Sequence, residues 1–221
     1  VAVSSDFGEM VKFGDIWMAP KQGTDAALAM AMGHVILKEF HLENKSAYFR
    51  SYVKQYTDMP MLVRLVERNG CYVPDQMLRA SQMPGGLDEA NNGDWKTLAI
   101  DETTGNIVSP NGSIGYRWGE GKFDDGAKVG RWNLEAKDGG SGREIDPQLS
   151  LIGKHDEIVS VGFSYFGGAD ANDMLQRNLP AKRVTLADGS VALVATVYDL
   201  SMANYGVDQG LGGAVATSYD D

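Results

Sequence analysis

One stretch decides the fold class: Asp15-Ile-Trp-Met-Ala-Pro-Lys-Gln-Gly-Thr-Asp-Ala-Ala-Leu-Ala-Met-Ala-Met-Gly-His-Val-Ile-Leu-Lys-Glu-Phe40. Its beginning, Asp15–Ala19, predicts a β-strand. After a short loop, Thr24 or Asp25 caps a helix that runs to about Phe40. This helix is apolar on nearly every face, so we expect it to be buried between layers whose residues cannot all belong to this sequence.

The residues before this stretch show the same alternation of elements. Val1–Val3 predicts the end of a buried strand, Ser4-Ser5-Asp6 a loop with a helix cap, and Phe7 to Phe13 a short helix. The order strand, helix, strand, helix is typical of α/β folds. We therefore predict that residues 1–60 form an α/β segment of a parallel-sheet domain.

The sequence after Met61 is richer in strand patterns. Short apolar runs and the dipeptides Asn69-Gly70, Asn111-Gly112 and Asp188-Gly189 predict hairpins. The other predicted elements are a helix from about Ser46 to Tyr56, strands at Met61–Val66, Cys71–Val73, Arg183–Leu186 and Val191–Val197, and a helix from Tyr198 to Tyr205. Residues 61–221 thus form a β-rich excursion in which 111–147 is a loop insertion, and the chain returns to the α/β domain near 191–221.

The composition excludes several classes of protein. The chain has 221 residues of which 43% are hydrophobic, enough to bury a core, and its net charge of −10 argues against a general nucleic-acid coat. Because Cys71 is the only cysteine and the three histidines are scattered, the sequence has neither an intramolecular disulfide nor a zinc or iron–sulfur ligand pattern. No apolar stretch is long enough to span a bilayer.

Both ends of the sequence resemble cut ends. Val1 lies within an apolar run without an initiator methionine, and the last residues, Ala216-Thr-Ser-Tyr-Asp-Asp, carry no tail. We therefore expect the chain to be an internal fragment of a larger protein.

Two loops follow the predicted strands at the place where α/β sheets bind ligands, beyond the carboxyl ends of the strands. The first loop, Ser4-Ser5-Asp6, offers hydroxyls and a carboxylate that suit a ribose diol. The second loop consists of Lys21, Gln22, Gly23, Thr24 and Asp25. It combines a cation, a glycine that lets the backbone approach a ligand, and a helix start that suits an anion. Together the loops predict a nucleotide site, and ordinary helix capping is the alternative.

The other chemically active residues favour structural roles. We expect His34 to be a hydrogen-bonded core histidine, His41 and His155 to be surface residues, and Cys71 to be an inert buried thiol. Ser201 lacks a nucleophile elbow, so hydrolase chemistry has no support. Neither a G-x-G-x-x-G motif nor a P-loop motif occurs.

The deciding stretch, extended from Gly14 to Leu42, closely resembles the catalytic alpha subunit of membrane-bound respiratory nitrate reductases. Further matching runs span the chain: Tyr56-Thr-Asp-Met-Pro-Met-Leu-Val, Met77-Leu-Arg-Ala, Val108-Ser-Pro-Asn-Gly-Ser-Ile-Gly, Tyr198-Asp-Leu and Ala216-Thr-Ser-Tyr-Asp-Asp. The Gln22-Gly-Thr-Asp element alone indicates only the wider molybdopterin oxidoreductase superfamily. The sequence departs from the family at Ser4-Ser5, where related subunits tend to have Thr-Pro, and over Gly119–Pro147, which is longer and richer in glycine.

The resemblance implies a two-electron reduction of nitrate to nitrite at molybdenum held by two molybdopterin guanine dinucleotides. It implies electrons from quinol, delivered through a quinol-oxidising membrane gamma subunit and an iron–sulfur beta subunit, on the cytoplasmic face of the bacterial cell membrane. The family's 4Fe-4S and molybdenum ligands lie N-terminal to this region, so we expect no catalytic residue and no metal ligand here. One guanine-dinucleotide half-site carries over, made by Ser4, Ser5, Asp6, Gln22, Gly23, Thr24 and Asp25.

Two other functions stay open at the level of sequence. The first is another membrane-linked molybdopterin oxidoreductase, such as a selenate, chlorate or perchlorate reductase, which the upstream metal ligand would distinguish. The second is a non-catalytic docking module in which residues 61–221 present an acidic surface to an electron-transfer subunit.

Overall fold

The fold is described from a computed structural model. The described residues are 1–89, 92–110, 117–122, 128–131, 137–164 and 174–212, with backbone alone for 117–122 and 128–131. Within them the chain is a mixed α/β structure with a multi-stranded sheet.

The N-terminal part contains a small parallel sheet and four helical elements. Strands β1 (Ala2–Val3) and β2 (Trp17–Met18) pair in parallel, with Ala2 opposite Trp17 and Val3 opposite Met18. The helical elements are a 3-10 helix at Glu9–Phe13, α1 (Asp25–Ile36), a π-helical turn at Leu37–Glu43 and α2 (Ala47–Tyr56). The predicted order of strand, helix, strand and helix is therefore present, although both strands are shorter than predicted.

The predicted long helix changes its winding before it reaches Phe40. The α-helix ends at Ile36, and in the π-helical turn the Asn44 amide donates to the carbonyl of Glu39, five residues back, at 3.0 Å. The Asn44 side chain also donates to the Glu39 carbonyl, at 2.7 Å. These two hydrogen bonds to the Glu39 carbonyl end the helical segment. Lys45, with φ of +40°, then redirects the chain into α2.

Helix α1 is less covered than its composition predicts. None of its residues is buried, and the side chains of Met32 and Ile36 are 56% and 47% exposed. The described residues cover one side of α1 near Gly33 and His34, where Tyr205 packs and its carbonyl lies 2.8 Å from the His34 Nδ1 atom. The prediction of a hydrogen-bonded His34 is confirmed, whereas the expected burial of the whole helix is not observed.

The rest of the chain is dominated by strands. In chain order these are β3 (Leu62–Arg68), β4 (Cys71–Met77), β5 (Ala99–Ile100), β6 (Ile107–Val108), β7 (Arg117–Lys122), β8 (Lys128–Arg131), β9 (Glu157–Ser164), β10 (Met174–Thr185) and β11 (Val191–Thr196), followed by α3 (Val197–Asn204). Short helical turns lie at Ala80–Gln82, Pro84–Asp88 and Gly93–Trp95. Strands β5 and β6 pair with each other, as do β7 and β8.

Five strands close into a barrel in the order β10, β11, β3, β4, β9. All neighbours are antiparallel except β4 and β9, which are parallel and meet at Tyr72 and Val161. Alternate residues of β3 and β11 enter different core clusters: Val63 and Ala195 belong to one, Leu62 and Val194 to the other. This period of two agrees with strands that are covered on both faces.

The hairpin turns follow the predicted dipeptides where the structure describes them. Asn69 and Gly70 join β3 to β4 with φ of +53° and +81°, the left-handed pair that a type I′ turn needs. Asp188-Gly189 joins β10 to β11, where the Leu186 amide donates to the Ser190 carbonyl at 2.8 Å. Both hairpins are confirmed, and Asn111-Gly112 lies outside the described residues.

Strand β11 belongs to the barrel, since it pairs with β3 and β10. The proposed return of the chain to the α/β domain near residues 191–221, and the division at residue 60, stay predictions. Most of the predicted loop insertion, 111–147, lies outside the residues whose side chains are described.

Two histidines that were predicted to lie at the surface are half-buried. His41 is half-buried, with its ring against Phe49 and Tyr198 at centroid distances of 5.6 and 6.1 Å, so its prediction as a surface residue is wrong. Burial lowers the pKa of His41. His155 is also half-buried, whereas Cys71 is buried as predicted.

A buried carboxylate fixes the start of α3. Asp199 accepts hydrogen bonds from the Ser150 hydroxyl at 2.7 Å, the Leu151 amide at 2.8 Å and the Thr196 hydroxyl at 3.0 Å, and its own amide donates to Thr196 Oγ1 at 3.0 Å. Thr196 is thus the N-cap of α3. Burial raises the pKa of Asp199 to about 6, despite these hydrogen bonds.

We predict that Gly33→Ala loosens α1 from α3. A Cβ atom at residue 33 would overlap the Tyr205 ring, so the substitution should cost about 1–3 kcal/mol of unfolding free energy. Amide hydrogen exchange across α1 should become faster. In a Tyr205→Ala background the same change should be neutral or stabilising, because alanine is the better helix former. Equal destabilisation in both backgrounds would show that Tyr205 does not limit residue 33.

A second prediction concerns the pH dependence set by Asp199. The folded-state pKa near 6 exceeds the unfolded value, so the folded protein binds more protons between these values and loses stability as pH rises. Relative to Asp199→Asn, the unfolding free energy of the original chain should fall by about 2 kcal/mol between pH 4 and pH 7. Asparagine is a suitable reference because the Ser150 hydroxyl can turn and accept from its amide. Chemical denaturation at both pH values measures the difference, and a constant difference would contradict the raised pKa.

Candidate functional site

The parallel pairing of β1 and β2 brings the two predicted loops to the same edge of the small sheet. Each loop begins where its strand ends, and the Ser4 amide continues the ladder by donating to the Met18 carbonyl at 3.1 Å. The Trp17 indole N–H donates to the Ser4 carbonyl at 3.0 Å. The start of the first loop is therefore fixed to the end of the second strand.

The first loop presents a hydroxyl and a carboxylate that contact each other. The Ser4 hydroxyl donates to Asp6 Oδ1 at 3.0 Å, and the Asp6 amide donates back to Ser4 Oγ at 3.4 Å. Ser5 and Asp6 are exposed. Within the described residues, Asp6 Oδ2 accepts no hydrogen bond, so one oxygen of this carboxylate is available to a hydroxyl of a ligand.

The second loop is a tight turn centred on Gln22 and Gly23. The Thr24 amide and hydroxyl both donate to the Lys21 carbonyl, at 3.1 and 2.7 Å. Gly23 has φ of +80°, a conformation that favours glycine, and a Cβ atom built there would have nothing within 4 Å. The space above this backbone is open to a ligand.

The side chains of this turn do not cap α1. Thr24 occupies the N-cap position, but its side chain makes no hydrogen bond to the helix and donates backward to Lys21. Asp25 is the first helical residue, and its exposed carboxylate makes no hydrogen bond or ion pair with any described residue. The first helical bond runs from the Leu28 amide to the Thr24 carbonyl, at 3.1 Å. The capping alternative is therefore wrong for the side chains of both residues.

The free amides at the start of α1 add to this site. The amides of Asp25, Ala26 and Ala27 have no acceptor within the helix, as is general for a first helical turn. These amides give the loop a partial positive charge, which adds to the charge of Lys21. One edge of the sheet thus carries two carboxylates and a set of amide donors, and no hydrogen bond joins the two loops among the described residues.

These groups fit a nucleotide better than they fit a metal ion. Within the described ranges no group of three or more histidine, cysteine, aspartate or glutamate side chains is placed to hold a metal. The Asp25 carboxylate is a planar pair of acceptors that matches the N1–H and exocyclic amine of guanine. The open backbone at Gly23 and the second oxygen of Asp6 leave room and an acceptor for the rest of a nucleotide.

The sequence did not single out Trp17 as part of this region. Its side chain is 43% exposed, it holds the Ser4 carbonyl, and its ring meets Phe7 edge-on at a centroid distance of 5.2 Å. An aromatic residue in a strand is ordinary, so its sequence position alone carries no signal. The signal is structural: Trp17 lies one residue before the end of β2 and opposite Ala2.

Comparison with known proteins identifies the family. No family model matches the chain. The respiratory nitrate reductase 1 alpha chain of Escherichia coli is 54% identical over the whole chain, and the nitrate reductase alpha chain of Bacillus subtilis is 42% identical over the whole chain. The dimethylsulfide dehydrogenase subunit alpha of Rhodovulum sulfidophilum is 34% identical, but over only 52% of the chain.

The length of these relatives limits what the similarity covers. The chain spans 18% of the Escherichia coli protein and 17% of the Bacillus subtilis protein. These two matches to nitrate reductase alpha chains cover the whole of this sequence, whereas the match to the dehydrogenase subunit is partial. The chain therefore belongs to the family of nitrate reductase alpha chains and corresponds to a segment of these longer proteins.

Proposed function

We propose that this segment seats one guanine nucleotide of a molybdopterin guanine dinucleotide cofactor in a respiratory nitrate reductase. The observation that carries the proposal is the unpartnered Asp25 carboxylate beside the open turn at Gly23, at the ligand-binding edge of a parallel sheet. The bound cofactor supplies molybdenum, at which nitrate is reduced to nitrite. The residues described below bind and orient the nucleotide.

Each loop has a separate task in this proposal. Asp25 accepts two hydrogen bonds from the guanine edge, while Gln22, Gly23 and Thr24 form the backbone surface beneath the nucleotide. Ser4, Ser5 and Asp6 face the ribose, and Asp6 Oδ2 accepts from a ribose hydroxyl. Adenine has an acceptor at N1, so it cannot donate to Asp25 in the same way.

The rest of the enzyme lies outside these 221 residues in this proposal. The assembly includes an iron–sulfur beta subunit and a quinol-oxidising gamma subunit, with the alpha chain carrying a 4Fe-4S cluster of its own and lying on the cytoplasmic face of the membrane. The described part of the chain contains no helix long and apolar enough to cross a membrane. In this proposal the alpha chain is attached through its partner subunits, and binding to isolated beta and gamma subunits would test that.

We predict that the 221-residue chain alone reduces no nitrate. A molybdenum site needs its own ligands and the seat of a second dinucleotide, and the described residues provide no grouped metal ligands. The measurement is nitrite formation with reduced viologen after reconstitution with the cofactor. Turnover by this chain would contradict its assignment as a partial seat for the cofactor.

The variant Asp25→Asn tests the proposed contact between Asp25 and guanine. An asparagine amide would place a donor against a guanine donor, so in an alpha chain that contains this segment the change should cost about 2–4 kcal/mol of cofactor affinity. Molybdenum and guanine nucleotide content per chain should fall sharply. The thermal stability of the cofactor-free protein should stay nearly unchanged, because asparagine is tolerated at a helix start.

The matched control for this variant is Asp15→Asn, which removes one negative charge from an exposed residue before β2. It should leave the cofactor content unchanged. Full molybdenum occupancy in Asp25→Asn would contradict the guanine contact, and an equal loss in both variants would show that general charge, rather than the Asp25 position, matters.

A further inference from the structure

A second polar cleft lies away from the nucleotide loops, between α2 and the segment 145–147. Its volume is about 400 Å3. One wall is a single face of α2, and the other is a short extended segment. The lining residues are Lys45, Ala47, Arg50, Ser51, Lys54, Gln55, Ile145, Asp146 and Pro147. This volume falls within the range of small-molecule sites, which is about 300–1,000 Å3.

The cleft carries excess positive charge in a strongly acidic chain. Its lining includes three cations, Lys45, Arg50 and Lys54, and one carboxylate, Asp146, whereas the whole chain has a net charge of −10. A concave surface with charge of one sign concentrates ions of the opposite sign. The local excess therefore points to an anionic ligand.

The carboxylates near the cleft are already paired. Lys54 donates to Asp146 Oδ1 at 2.6 Å and to Glu102 Oε2 at 3.0 Å, and Lys154 lies 3.8 Å from Glu102 Oε1. Burial would raise the pKa of Glu102, but Lys54, Lys154 and Arg50 hold it below its ordinary value. The charges of Lys54 and Lys154 thus neutralise those of Asp146 and Glu102. The charges of Lys45 and Arg50 are not neutralised in this way.

The other two cations of the lining, Lys45 and Arg50, are not paired with any described carboxylate. Arg50 and Lys45 are exposed, and neither side chain makes a hydrogen bond or an ion pair with a residue that the structure describes. The Arg50 guanidinium presents a planar fork of donors, which matches the oxygens of phosphate or carboxylate groups. Arg50 acts on Glu102 only through its charge.

The start of α2 supplies further donors at the same end of the cleft. Ser46 makes no side-chain cap bond, and no acidic residue lies in the first helical turn. The first helical bond runs from the Arg50 amide to the Ser46 carbonyl, at 3.1 Å, so the amide of Ala47 has no acceptor within the helix. The cleft therefore has free amides at the start of α2 beside the side chains of Lys45 and Arg50. All of these groups are hydrogen-bond donors, and the first turn of α2 contains no acidic residue that could accept from them.

We propose that this cleft binds the phosphate group of a small soluble molecule, with Arg50 and Lys45 as its charged ligands. Ala47, Ile145 and Pro147 give the cleft an apolar part that a carbon-containing ligand contacts. Lys54 stays paired with Asp146 and Glu102 and sets the position of the α2 face against segment 145–147. This site is independent of the proposed nucleotide loops, since it shares none of their residues.

The test is equilibrium dialysis of the 221-residue chain against labelled inorganic phosphate at neutral pH and low ionic strength. We expect saturable binding of one phosphate per chain, weakened about fivefold or more by Arg50→Gln and by Lys45→Gln. The control Lys12→Gln removes one charge from an exposed residue of the Glu9–Phe13 helix and should leave the affinity unchanged.

A variant that binds phosphate more tightly would show that the other variants do not lose binding merely because their fold is disrupted. Asp146→Asn removes the one negative charge of the lining but keeps an amide oxygen that accepts from Lys54, so it should tighten phosphate binding several-fold. Absence of saturable binding up to about 10 mM phosphate, or equal weakening in Lys12→Gln, would overturn the proposal. Flotation with phosphatidylglycerol vesicles tests whether the phosphate group belongs to a lipid instead. Vesicle binding that needs Arg50, without binding of free phosphate, would also overturn the proposal.

Discussion

The parallel pairing of β1 and β2 is the interaction on which the candidate nucleotide site depends. Two residue pairs, Ala2 with Trp17 and Val3 with Met18, are enough to align the strand ends. Because both strands run in one direction, the loops that follow them emerge at one edge, next to the positive end of α1. An antiparallel pairing would send these loops to opposite ends and separate Asp6 from Asp25.

The barrel has a different role, which is to give the chain a core of its own. Its strands bury apolar residues on both faces, and α3 is attached through the hydrogen bonds of Asp199 to Ser150, Leu151 and Thr196. Tyr205, just after α3, meets Gly33 of α1. This contact links the barrel to the helix that starts at the nucleotide loop, so the site depends on packing far along the chain.

Local signals in the sequence predicted the local structure well. The hairpins at Asn69-Gly70 and Asp188-Gly189 form where they were expected. Both residues of the first pair have positive φ, as a type I′ turn requires, whereas in the second pair only Gly189 does. Helix α2 begins within one residue of its predicted start. The closure of the barrel could not be predicted, because it depends on the parallel contact of Tyr72 with Val161, two residues far apart in sequence whose types do not specify a partner.

For the site residues too, the sequence predicted the backbone position but not the partner of each side chain. Sequence placed Thr24 and Asp25 at a helix start, which is confirmed, but residue type could not tell whether the Thr24 hydroxyl donates to Lys21 or caps the helix. The most direct measurement is a structure of the cofactor-bound alpha chain. The account predicts a guanine edge within about 3 Å of both Asp25 carboxylate oxygens, above Gly23. An Asp25 carboxylate bonded only to protein groups, with both guanines elsewhere, would contradict it.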